Sequence, residues 1–110
     1  MIESVCAVLT RPRGEEKSVL GLRLAWATHM AGLGTSLLCL EDGVYNLLPG
    51  PGYPVEMLLN FIKESGRTLA VASSLAQRNL DPSQLVEGVE VIEEAEVAGL
   101  MEDHQAALFF

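Results

Sequence analysis

Residues 4–40 read SVCAVL-TRPRG-EEKSVLGLRLAWATHMA-GLG-TSLLCL, and this stretch decides the fold. Ser4–Leu9 is a short apolar run rich in β-formers, which predicts a buried strand. Pro12 cannot continue a hydrogen-bonded ladder and Gly14 marks a turn, so the strand ends in Thr10–Gly14. Glu15 and Glu16 then supply the negative charge that a helix's first turn prefers. From Glu15 to Ala31 the apolar residues fall on two stripes at helical spacing: Val19, Leu22, Trp26, Met30 and Leu33, then Leu20, Leu24, Ala27 and Ala31. Only a narrow polar arc with Lys17, Gly21 and Thr28 remains. One stripe suffices to cover a sheet, so the second predicts a further neighbour. Gly32-Leu-Gly34 stops the helix, and Thr35–Leu40 is a second strand.

The same alternation continues outward. Asp42-Gly43 turns the chain into a short helical turn at Val44–Leu48, and Pro49–Pro54 is a loop by composition. Val55, Leu58, Leu59 and Ile62 share one helical face over Val55–Glu64. Thr68–Ala72 is a third strand, followed by a Ser73–Asn79 loop. Asp81-Pro-Ser-Gln84 has the form of a capped helix start, with Asp81 as N-cap and Gln84 reaching back. Val89–Ile92 is a strand, Glu94–Glu102 a helix and Ala106–Phe110 a fifth strand. Strands alternating with helices predict βα units with right-handed crossovers. The expected fold is α/β, a three-layer α/β/α arrangement of a single, mostly parallel five-stranded sheet forming one domain over 1–110.

Composition agrees. Hydrophobic residues make up 49%, which suits a sheet covered on both faces and an oligomer that hides further surface. No apolar run reaches the ~18–20 residues of a membrane helix, and the first residues carry no signal-peptide pattern. A cytoplasmic protein without membrane attachment is expected, and two cysteines fit a reducing compartment. Charge is uneven: residues 1–78 balance, while residues 79–110 hold eight acidic side chains and no Lys or Arg, accounting for the net charge of -8. Such a tail repels phosphate backbones, so direct nucleic-acid binding is not expected.

Ligands of open parallel sheets bind beyond the carboxyl ends of the strands. The loops there supply the pocket candidates Thr10, Arg11, Arg13, Gly14, Asp42, Gly43, Ser73, Ser74 and Arg78. Arg11, Arg13 and Arg78 together could hold an anion. No nucleotide-binding motif occurs, and no cofactor is expected. His29 and His104 do not cluster with other ligands, so no metal is expected. Ser73 and Ser74 lack a base nearby in sequence. Adjacent Glu41 and Asp42 point to opposite faces of a strand end. Cys6 and Cys39 are flanked by apolar residues and read as core thiols.

Two segments bear a resemblance. Asp42-Gly-Val-Tyr-Asn-Leu-Leu-Pro-Gly50 is similar to the D-G-V-[FY]-x-L-L-P-G segment of the TusC/DsrF-type sulfur-relay subunits of the DsrE/DsrF-like family. Ala70-Val-Ala-Ser-Ser-Leu-Ala-Gln-Arg-Asn-Leu-Asp-Pro82 resembles their V-C-A-x-S-L-x-x-R-G-L-D-P segment. The short final strand ending in Phe is also shared. The resemblance implies a DsrE-like fold, assembly with DsrE-like subunits into homo- or hetero-oligomers (trimers or hexamers), and sulfane sulfur carried as a cysteine persulfide. Ungapped matching puts the family cysteine at Val71, which cannot form a persulfide. Asn79 replaces the usual Gly, and Asn best tolerates positive φ among the other residues. A non-catalytic subunit is therefore the leading expectation. The alternatives are a carrier that uses Cys39, and a small-molecule or anion sensor built on the arginine-bearing loops.

Overall fold

The structure is a computed structural model and describes residues 2–110. Five strands form one sheet: β1 (Ser4–Leu9), β2 (Gly34–Cys39), β3 (Arg67–Val71), β4 (Val89–Ile92) and β5 (Ala106–Phe109). Their spatial order is β4-β3-β2-β1-β5, and every pairing is parallel. The chain steps outward from β1 to β4, then crosses back to place β5 on the far side of β1.

Alternate residues of β1, β2 and β3 enter two separate cores. Ala7, Leu9, Leu37, Cys39 and Ala70 meet Leu22 and Ala25 of α1 (Glu16–Met30), Met57, Leu58 and Phe61 of α2 (Tyr53–Lys63), and Leu75 of α3 (Ala72–Gln77). On the opposite face Cys6, Val8, Leu38, Leu69, Val71 and Ile92 meet Leu100 of α4 (Val97–Glu102). The three layers are thus unequal, with α4 alone forming the second helical layer. Full burial of a side chain such as Phe61 or Leu58 contributes about 1.5–3 kcal/mol, so the α1/α2 face holds most of the apolar stabilisation.

Two expectations change. The Ser73–Asn79 segment is helical from Ala72 to Gln77 and not a loop. Leu75 anchors it in the core, and Asn79 ends it with φ of 54° while the Leu80 N–H donates to the Leu75 carbonyl. Asn79 thus does adopt the left-handed conformation its side chain tolerates. The face of α1 also rotates. Its buried residues are Ser18, Gly21, Leu22 and Ala25, so Gly21 belongs to the sheet contact and not to a polar arc. A Cβ at Gly21 would stand 2.3 Å from Leu9 Cδ2, and the missing side chain lets α1 settle onto β1. Leu20 and Met30 are left exposed.

Gly43 is packed more tightly still. A Cβ there would lie 1.9 Å from the carbonyl oxygen of Leu9. Its φ is not in the left-handed region, so the requirement is for space. The 3-10 turn Glu41–Leu47 is thereby pressed against the end of β1. The Gly43→Ala substitution is expected to cost at least 1–3 kcal/mol, the usual range for overpacking, read as a lower urea midpoint with an unchanged slope.

Candidate functional site

The carboxyl edge of β2, β3 and β4 forms a cleft of about 210 Å³ lined by Leu40, Glu41, Val71, Ser73, Ser74, Gln77, Glu94 and Val97. Val71 is the last residue of β3 and Ala72 begins α3, so Val71 stands at the point where strand becomes helix. Glu41 has φ of 52°, a conformation costing a non-glycine residue roughly 1–2 kcal/mol. Its N–H donates to Ser74 Oγ at 2.8 Å, which ties the end of β2 to α3. The side chains give the cleft two carboxylates, hydroxyl and amide groups, and an aliphatic floor.

The sequence-derived candidates separate into several places. Ser73 and Ser74 line the cleft. Asp42 lies beside it and pairs with Arg78, whose Nε donates to Oδ1 at 2.9 Å. Gly43 serves the close approach to β1. Thr10 is fixed to the chain end, its Oγ1 donating to the Phe110 carbonyl at 2.7 Å. Gly14 takes φ of 91° in the turn before α1.

The three arginines are spent on separate partners. Arg11 faces Glu15 at 3.7 Å. Arg13 donates through Nη2 to the Leu48 carbonyl, and burial lowers its affinity for a proton. Arg78 neutralises Asp42. No shared anion pocket is formed by Arg11, Arg13 and Arg78. Sequence reasoning missed Gln77, Glu94 and Val97. Glu94 was findable, because it follows β4 and the rule that selects carboxyl-edge loops applies to that strand as well.

Both thiols are wholly buried, on opposite faces of the sheet. Burial pushes the Cys6 thiol up to about 11, with the positive charge of Arg67 opposing the rise. Burial, and secondarily Cys6, pushes Cys39 higher still. Nucleophilic sulfur requires an accessible thiolate, and neither cysteine supplies one. Among the described residues no group of three His, Cys, Asp or Glu side chains could hold a metal ion, and no helix is long and apolar enough to cross a membrane.

A parallel sheet of this order, with a helix springing directly from the third strand, defines an α/β domain of the DsrE type. The chain belongs to the DsrE/DsrF-like family, whose model matches residues 3–110. Among solved structures it is similar to the ychN protein from E. coli, with 26% identity, a TM-score of 0.84 and 100% of each chain covered. It also shares its fold with MTH1491 from Methanobacterium thermoautotrophicum, a protein of unknown function, at 20% identity and a TM-score of 0.78, covering 97% of this chain and 98% of that one. A search of curated proteins finds no match.

In the folded protein at mildly alkaline pH, a chromogenic thiol reagent should modify neither Cys6 nor Cys39, and both once denaturant is added. Rapid modification of Cys39 under native conditions would contradict the burial described.

Proposed function

We propose that this chain is a non-catalytic, TusC/DsrF-type subunit of a sulfur-relay oligomer, contributing contacts and a shaped cleft to a partner that carries the sulfur. The observation that carries the reading is Val71, an aliphatic side chain in the cleft at the junction of β3 and α3, where the family resemblance places a cysteine. Persulfide formation requires a thiolate that attacks and is regenerated, and the hydroxyls of Ser73 and Ser74 cannot replace it. The seclusion of Cys6 and Cys39 weighs against a displaced carrier. The separate pairing of Arg11, Arg13 and Arg78 weighs against an anion sensor at this edge.

Assembly is supported by apolar surface that none of the described residues covers. β5 is an edge strand, and Leu108 and Phe109 on it are 43% and 62% exposed. Open apolar edges are ordinarily blunted or paired. Leu20 and Met30 on α1 are also exposed. Pairing with DsrE-like subunits, alike or different, would cover these residues, and the cytoplasm suits the reduced thiols.

Two measurements test the reading. Incubated with a sulfane-sulfur donor, the protein should show no mass increment of a sulfur atom, whereas Val71→Cys should gain one that a reductant removes. A persulfide on the unaltered protein, or a folded Val71→Cys variant whose added thiol stays inert, would overturn it. Light scattering at micromolar concentration should give a mass above 11.9 kDa alone or with a co-purified DsrE-like partner. A monomer that captures none would count against assembly.

A further inference from the structure

The opposite, amino edge of the sheet holds a recess of about 350 Å³ whose lining includes Ser4, Ser36, Ser65, Arg67, Asp103 and His104. Ser36 lies in β2 and His104 lies just past α4, and the two sit 68 residues apart in sequence. Ser36 Oγ is 2.9 Å from His104 Nε2. His104 Nδ1 is 2.7 Å from the Leu100 carbonyl oxygen. A carbonyl oxygen only accepts, so in the neutral ring Nδ1 carries the proton and Nε2 presents its lone pair to the serine hydroxyl. This is a nucleophile hydrogen-bonded to a base, with the base oriented by a third group. Arg67 pairs in register with Ser36 on the neighbouring strand. It donates Nε and Nη2 to the Glu90 carboxylate at 3.1 and 2.9 Å, and the residue also lines the recess.

We propose that Ser36 and His104 form a nucleophile–base pair acting on small carboxylic esters at the amino edge. Ser36 Oγ attacks the ester carbonyl carbon while its proton passes to His104 Nε2. The tetrahedral oxyanion is stabilised by the positive charge of Arg67. The bond to the alcohol oxygen then breaks, and that oxygen takes the proton from Nε2. Water attacks the acyl-serine in the same way, releasing the carboxylic acid and restoring Ser36. No oxidation or reduction occurs, and ester plus water accounts for every atom. The site is separate from the cleft at Val71, so its success or failure is independent of the sulfur-relay reading.

The experiment uses the full chain with a fluorophosphonate probe and p-nitrophenyl acetate. A single phosphonyl adduct that peptide mapping places on Ser36 is expected, together with slow ester hydrolysis. Ser36→Ala should abolish both. His104→Gln keeps a hydrogen-bonding side chain but no base, and should slow labelling by roughly 10²–10⁴-fold, the usual worth of a general base. Thermal unfolding establishes that each variant is folded, and Ser36→Ala serves if His104→Gln is not. Absence of a Ser36 adduct, an adduct confined to another residue, or labelling of a folded His104→Gln at the wild-type rate would overturn the proposal.

Discussion

The structure rests on the parallel pairing of β1 with β2 and β5, and on what such pairing demands of side chains. Parallel strands need a crossover after each strand, and the crossovers cover the faces of the sheet. Strands so enclosed must be apolar on both sides. Val5–Leu9 and Leu37–Cys39 meet that demand with wholly or nearly wholly buried residues. Their alternation sends Cys6 into one core and Cys39 into the other. The requirement that closes the sheet thereby withdraws both sulfurs from solvent and holds them protonated.

The same pairing produces two edges of different character. At the carboxyl edge the backbone is crowded. The 3-10 turn is held against Leu9 through Gly43, and the Glu41 N–H is held by Ser74 Oγ across to α3. Glu41 adopts positive φ where this hydrogen bond and the Leu40 N–H donated to the Leu9 carbonyl fix the chain leading into it, and the Gly43 N–H donated to the Leu40 carbonyl closes the turn beyond. The resulting cleft has the carboxylates of Glu41 and Glu94 in its lining, and it lacks a thiol. At the amino edge a serine, a histidine and a backbone carbonyl are linked in one chain of hydrogen bonds.

Charge and apolar exposure are distributed with similar asymmetry. The acidic last third forms β4, α4 and their flanks, where only the Arg67–Glu90 pair joins it to a cation among the described salt bridges. Both members of that pair are half exposed, so water screens it and its contribution to stability is small. Hydrogen bonding to Arg67 still holds the Glu90 carboxyl below its usual range. α4 is short, and its layer covers less of the sheet than α1 and α2 do. Phe109, which shares the α4 face with Val8, and Leu108, on the other face, both remain open on the edge strand β5.

The strands, the long helices and their parallel arrangement were legible in the sequence, because apolar runs of four to six residues bounded by Gly and Pro have few other uses. The capping box at Asp81 and the left-handed turn at Asn79 were legible too, since both depend on residues within a few positions of one another. Local pattern could not reveal which arc of α1 faces the sheet. Gly21 reads as part of the polar arc until the Leu9 side chain of β1 arrives beneath it. Nor could it show that Arg11, Arg13 and Arg78 end on different partners, or that Ser73–Asn79 is mostly helical around Leu75. Ser36 and His104 were visible only as an apolar-strand hydroxyl and an isolated histidine. Those relations join residues far apart in the chain, and only the packing of the sheet decides which groups meet.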